Sequence, residues 1–211
     1  MTEPRPPKRE RTRRALLDAG LQVLAERGDA LTASDVVHAA DVSNGTFYNH
    51  FADRDAFIRA LAHESLLALT IDSALDTAGT DPAWRFAVGS TRVLEAARRQ
   101  PLWAHAVLRL AELPAPPHEA IQAHLRNDLA DGLAAGRFVH GDDPVTVDLV
   151  SGTLMATLRR LIDDPGHADA AVDVVTRLLI AVGIASDEAG VIAEGAHANE
   201  RRPAVRNPSP A

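Results

Sequence analysis

Apolar residues recur along the 211-residue chain at intervals of three and four, the spacing of one face of an α-helix. Leu16, Ala19, Val23 and Leu24 predict a first helix from Lys8 to Arg27, and Gly28 stops it as a C-terminal glycine does. Val36, Val37 and Ala40 point inward from a short second helix, capped by Thr32 or Ser34. A turn at Asp41-Val42 leads to a third short helix, capped by Ser43 and ending near Phe51. Asp53 caps a fourth, read from Arg54 towards Ala78, before Gly79-Thr80-Asp81-Pro82 breaks it. Further helices are expected from Ala83 to Arg99, from Pro101 to near Leu113, onward to near Ala135, and over 142–163 and 168–185. No alternating strand pattern of useful length is present, so the expected class is all-α. Residues 1–7, with three prolines, and the polar stretch from Gly195 onward read as disordered.

The third helix is the anomaly. Asn44, Gly45 and Thr46 are mediocre or poor helix formers set side by side, followed at once by Phe47, Tyr48 and Phe51. Two short helices joined by a tight turn and preceded by a longer one make a helix-turn-helix candidate, whose second helix enters the major groove of DNA. That purpose accounts for the composition. Gly45 lets a backbone come close to a duplex. Ser43, Asn44 and Thr46 offer short polar groups to base edges or phosphates. Val42, Phe47 and Phe51 are expected to pack on Val36 and Leu24. Tyr48 then faces outward, Asn49 and His50 continue the polar edge, and Thr32 and Arg54 open neighbouring helices where phosphates could be met.

Charge adds one element. The net charge is −7, which argues against a generally basic nucleic-acid binder. Yet residues 1–14 carry six basic residues (Arg5, Lys8, Arg9, Arg11, Arg13, Arg14) against Glu3 and Glu10, leaving about −11 for the rest. A basic leader on an acidic body suits a polyanion at one end.

The run LTASDVVHAADVSNGTFYNHFADRDAF resembles the DNA-binding domain of the TetR family of bacterial transcriptional regulators, over about Arg11 to Leu67. A threonine opens the second helix, Ala-x-Val-Ser leads into the third, and GTFYNHF is followed by Asp-Arg-Asp-Ala. The resemblance implies an all-helical homodimer: a three-helix helix-turn-helix domain (8–54), then a helical effector-binding and dimerisation domain (55–194), between a leader (1–7) and a tail (195–211). It places Thr32, Ser43, Asn44, Gly45, Thr46, Tyr48, Asn49, His50 and Arg54 where such proteins meet DNA. Two positions depart from the family pattern. Asp41 stands where a turn glycine is frequent, and Asp tolerates a left-handed backbone better than most residues. Arg54 replaces the more usual Lys.

In the second half, Val147, Val150, Leu154, Leu158 and Leu161 form one apolar stripe, with Val145, Leu149 and Ile162 off it. Val172, Val175, Leu179 and Val182 form another stripe, and Val174, Leu178, Ala181 and Ala185 a third. Helices apolar on two sides need two partners, and the second is expected to be the same pair from another copy. Phe86, Trp103, His105, Leu125 and Met155 are candidates to line a pocket for a small, largely apolar ligand. The expected activity is that of a repressor released from a pseudo-palindromic double-stranded operator by that ligand, through movement of the long fourth helix.

There is no cysteine, no His-Glu-x-x-His spacing, no phosphate-cradling glycine loop and no nucleophile elbow. No metal, cofactor or catalytic residue is therefore expected. The alternatives are a helical enzyme, for which no catalytic constellation is legible, and a protein-interaction module whose helix-turn-helix no longer binds DNA. No apolar run approaches membrane-spanning length and no signal-peptide pattern follows the basic start, so a cytoplasmic location is expected.

Overall fold

The structure, a computed structural model, describes residues 7–64, 80–112, 118–164 and 170–201. Among these the secondary structure is helical throughout: α1 (Lys8–Arg27), α2 (Ala33–Ala39), α3 (Asn44–Tyr48), α4 (54–64), α5 (Pro82–Arg99), α6 (Pro101–Ala111), α7 (His118–Ala134), α8 (Pro144–Asp163), α9 (Ala170–Ala181) and α10 (Ser186–Arg201). The expected continuation of the fourth helix towards Ala78 lies outside the described residues. The chain divides into two compact units: Met1–Ala68 with Gln100–Gln122, and Leu69–Arg99 with Ala123–Ala211.

The first unit is built around one apolar cluster. Leu16, Val23 and Leu24 of α1, Val36 of α2, Phe47 of α3 and Phe57 and Leu61 of α4 are buried together with Phe51. Phe47, Phe51 and Phe57 stack with ring centres 4.9 to 5.5 Å apart, within the range where aromatic pairs add to simple burial. Gly20 is the close approach that lets α1 lie on α4, because a β-carbon there would run into the Phe57 ring. The sequence pattern assigns α6 to the second domain. Its Ala106 and Leu110 instead join this first cluster, and α6 packs on α1.

The second unit centres on α5, buried on most of its circumference, against α8, α9 and α10. Arg137 holds three of its segments. Its guanidinium donates to both carboxylate oxygens of Asp81 at 2.8 Å and to Glu188 at 2.6 Å. Asp81 in turn accepts from the Ala83 amide at the start of α5, and Glu188 lies in the first turn of α10. The Arg137 hydrogen bonds hold the Asp81 carboxyl below the usual carboxylate range.

Residues from Gly195 do not form a polar tail at once, as their composition suggests: α10 continues to Arg201. Ala196 is buried, a β-carbon on Gly195 would sit 3.0 Å from the Trp84 ring, and Glu200 pairs with Arg92 at 2.7 Å. Tertiary packing, invisible to composition, extends the helix. The stripe on α8 is buried as expected, while Val145 and Leu149 stand 75% and 46% exposed. On α9, Leu178 belongs by spacing to the third stripe but is buried in its own unit, while Ala181 at the helix end and Ala185 beyond it are exposed. Among the described residues no helix is long and apolar enough to cross a membrane.

Candidate nucleic-acid interface

The helix-turn-helix is assembled by local hydrogen bonds that its sequence specifies. Thr32 caps α2, resolving the choice between Thr32 and Ser34. Its hydroxyl accepts from the Asp35 amide at 3.2 Å, while the Asp35 carboxylate takes the Thr32 amide at 3.0 Å and the hydroxyl at 2.7 Å. This is a reciprocal capping box, with Asp at the third position. The Thr32 hydroxyl is the main cause holding the Asp35 carboxyl below its ordinary value.

α2 ends in a left-handed turn. The Val42 amide donates to the Val37 carbonyl at 3.0 Å and the Asp41 amide to His38 at 3.3 Å, the paired bonds of a Schellman stop. Asp41 has φ 52°, the one non-glycine residue with positive φ among those described. The turn therefore forms without glycine, and Val42 packs half-buried on the core.

Ser43 then caps α3. Its hydroxyl accepts from the Thr46 amide at 3.3 Å and lies 2.9 Å from the Thr46 hydroxyl. Each hydroxyl keeps capacity for at least one more partner. With Phe47 fully buried, the rest of α3 must face out. Ser43, Asn44, Gly45 and Asn49 are exposed, Thr46 and His50 are half-buried, and Tyr48 is 59% exposed with its ring near-perpendicular to that of Phe47. These residues and Thr32 all belong to the first unit.

Gly45 is decisive in what surrounds it. It sits inside α3 without a positive φ, and a β-carbon built on it would meet nothing nearer than the Ser43 Oγ at 3.8 Å. Nothing in the fold requires glycine there, although glycine in a helix costs about 1 kcal/mol against alanine.

Arg54 is half-buried at the start of α4. Its Nε donates to the Leu31 carbonyl at 2.9 Å, and its Nη1 lies 3.6 Å from Asp55. The side chain ties the start of α4 to the segment that enters α2.

The candidate ligand residues fall in both units. Trp103 is buried and His105 exposed, with Nδ1 2.8 Å from the Pro101 carbonyl, and both belong to the first unit. Phe86 is buried edge-on to Phe138, and Leu125 and Met155 are half-buried, all in the second unit. One polar group of the second unit does not stand out in the sequence. Burial pushes the Asp128 carboxyl on α7 above its ordinary value, opposed by Arg85 3.8 Å away. Its only sequence signal is its place one turn beyond Leu125.

Residues 81–195 match the family described as "Tetracyclin repressor-like, C-terminal domain", and residues 16–61 match "Bacterial regulatory proteins, tetR family". The chain belongs to the TetR family. Among curated relatives, it is 41% identical over 76 residues to the HTH-type transcriptional repressor DhaR of Mycobacterium sp. (strain GP1), covering 35% of this chain and 38% of that protein. It is 40% identical over 85 residues to the repressor LfrR of Mycolicibacterium smegmatis, covering 39% and 44%. The matched stretches thus span less than half the length of either. Across solved structures, this chain superposes on RolR in complex with resorcinol with a TM-score of 0.63 and 28% identity, over 88% of this chain and 94% of that one. A TetR-family regulator from Shewanella sp. PV-4 shares the fold, with a TM-score of 0.69 at 17% identity, over 82% and 99%.

Proposed function

We propose that this TetR-family chain is a cytoplasmic, homodimeric transcriptional repressor that reads a pseudo-palindromic operator through α3 and leaves it when a small ligand binds. The carrying observation is Gly45. It lies in an exposed helix, with room for a side chain and no backbone need for glycine, among outward-facing Asn44, Thr46, Tyr48 and Asn49. A surface of that kind is explained by something approaching from outside, and the major groove accepts a helix presenting short polar groups. Ser43, Asn44, Thr46, Asn49 and His50 would meet bases or phosphates, and the Tyr48 phenol a phosphate oxygen. Thr32 would contribute at the edge of the same surface.

The names of DhaR and LfrR as repressors support the direction of control. For the dimer, the exposed apolar residues Val145 and Leu149 on α8 and Ile180 on α9 offer a face for a second copy. Two recognition helices would then fall about 34–36 Å apart, one turn of B-DNA. For the ligand, the resorcinol bound to RolR supports a small ring compound. In the second unit Phe86, Leu125 and Met155 would supply apolar lining, with Asp128 as a polar anchor. Trp103 and His105 remain candidates in the first unit.

A gel shift against DNA upstream of the chain's own gene tests the reading. A retarded, salt-sensitive complex that mixed-sequence competitor does not displace is expected. Equal competition by any duplex would overturn sequence-specific recognition.

A further inference from the structure

α3 is five residues long, too short for its own backbone bonds to hold it in place. Side chains must set where it stands. Phe47 anchors it from beneath, fully buried. Phe51 closes the segment just beyond the helix. The amides of His50 and Phe51 both donate to the Phe47 carbonyl at 2.9 Å, and the Phe51 ring packs on those of Phe47 and Phe57. Whatever fixes Phe51 therefore fixes the far end of the recognition helix.

A cation completes the surroundings of that ring. The guanidinium carbon of Arg13, on α1, lies 5.0 Å from the centre of the Phe51 ring, within the range where a positive charge is drawn to an aromatic face. The same guanidinium donates from Nη2 to the Glu64 carboxylate of α4 at 3.0 Å. One side chain thus joins three elements of the first unit: α1 carries it, α4 pairs it, and the end of the α3 segment lies under it. Arg13 is half-buried, whereas its neighbours Arg11 and Arg14 are exposed. A guanidinium serves a carboxylate and an aromatic ring together better than a compact ammonium does. With Glu64 meeting its charge and Phe51 its face, Arg13 is engaged inside the protein.

We infer that Arg13 is a positioning residue for the recognition helix: its guanidinium, held by Glu64, clamps the Phe51 ring and so fixes the end of the α3 segment against α1 and α4. The inference rests on the DNA-binding reading above. Arg13 touches neither base nor phosphate in this role. It acts through Phe51, by keeping the short polar groups of α3 in one register. Readout of base edges depends on that register, whereas attraction to phosphates does not.

The test uses the full-length protein and two readouts. Amide hydrogen exchange at His50 and Phe51 reports the clamp without DNA. The ratio of affinities for the chain's own upstream DNA and for a mixed-sequence duplex, across a salt series, reports its consequence. Arg13→Gln keeps helix propensity. It should speed exchange at both amides about three- to tenfold, the scale of a partly exposed cation–ring contact with an ion pair. The affinity ratio should fall by a similar factor while the salt slope holds. Glu64→Gln, at an exposed carboxylate, should give the same two changes, and it carries the test if Arg13→Gln does not fold. The double variant should be no worse than the worse single one, because the pair acts as a unit. Unchanged exchange in the folded variants overturns the clamp, as do effects that simply add. Faster exchange with an unchanged ratio reduces Arg13 to a purely structural role and overturns the inference. A salt slope flatter by about 0.9 would make Arg13 a phosphate contact and overturn it too. If exchange speeds up but wild type prefers no duplex, the clamp on Phe51 stands and sequence-specific recognition falls. If wild type prefers its upstream DNA and exchange is unmoved, the clamp falls and the repressor reading stands.

Discussion

The turn at Asp41 and the helix at Gly45 lie four residues apart, and neither holds the residue its own backbone would prefer. Asp41 sits at φ 52°, in the left-handed region that favours glycine. Gly45 sits in a helix with empty space at its β-carbon, where alanine would be the better residue. At the turn the fold tolerates an imperfect residue, because two Schellman bonds and the packing of Val42 hold the conformation around it. In α3 no such compensation explains the glycine. Gly20 and Gly132 give the contrast: both are helical, and a β-carbon on either would run into Phe57 or Phe138. Those two glycines answer to the protein's own packing, and Gly45 does not.

The contrast assumes that α3 is held in place by its buried aromatic residue, and that is where the largest effect should appear. Phe47→Ala should lower stability by about 3–5 kcal/mol in urea denaturation. A decrease near 1 kcal/mol would mean that α3 stands on its own propensity, leaving its weak helix formers with nothing to explain. Next comes the pair of glycines. Gly20→Ala should cost about 1–3 kcal/mol by overpacking. Gly45→Ala should raise stability by up to about 1 kcal/mol, while Gly45→Leu should abolish the operator complex in a gel shift without unfolding the protein. If Gly45→Ala destabilised as Gly20→Ala does, the glycine would belong to the fold and the DNA reading would lose its main support. Smaller again is Arg54→Lys, which keeps the charge and removes the Nε bond to Leu31. Stability should fall by about 1 kcal/mol, with the salt slope of DNA binding unchanged. A flatter slope with full stability would show that the Arg54 guanidinium serves a phosphate rather than the Leu31 carbonyl.

The helix-turn-helix is legible in the sequence because its information is local. Thr32 and Ser43 are caps, Gly28 is a stop, and Phe47 among polar neighbours fixes which face turns in. The same logic shows α3 as anomalous from its residues alone. What the sequence hides is non-local. α6 reads as one amphipathic helix among several, and nothing in its own sequence says that Ala106 and Leu110 pack on the first cluster. Gly195 to Arg201 look like a tail because small and charged residues dominate, yet Arg92 and Trp84, more than a hundred residues earlier, give those residues partners. At Arg54 a pattern shows the charge and hides the carbonyl its Nε is bonded to. Size is what singles out the ligand residues, and size does not say which unit a residue joins.

The smallest effect bears on the other half of the comparison. Asp41→Gly relieves a left-handed backbone that costs an ordinary L-residue about 1–2 kcal/mol and Asp rather less. Against that, glycine enlarges the unfolded ensemble by roughly 0.5–1 kcal/mol. The two nearly cancel, leaving a net gain of at most about 0.5 kcal/mol. The ordering among variants is therefore more telling than either value. Asp41→Ala keeps a β-carbon but lacks the short polar side chain that eases the left-handed state, so melting temperatures should rank Gly at or above Asp, and Asp above Ala. Were Ala to match or exceed Asp, the positive φ would not be what this position demands, and the turn would be held by its two hydrogen bonds and Val42 alone. Asp41 would then no longer mirror Gly45, although the anomaly of Gly45, which rests on empty space rather than on dihedral angles, would persist.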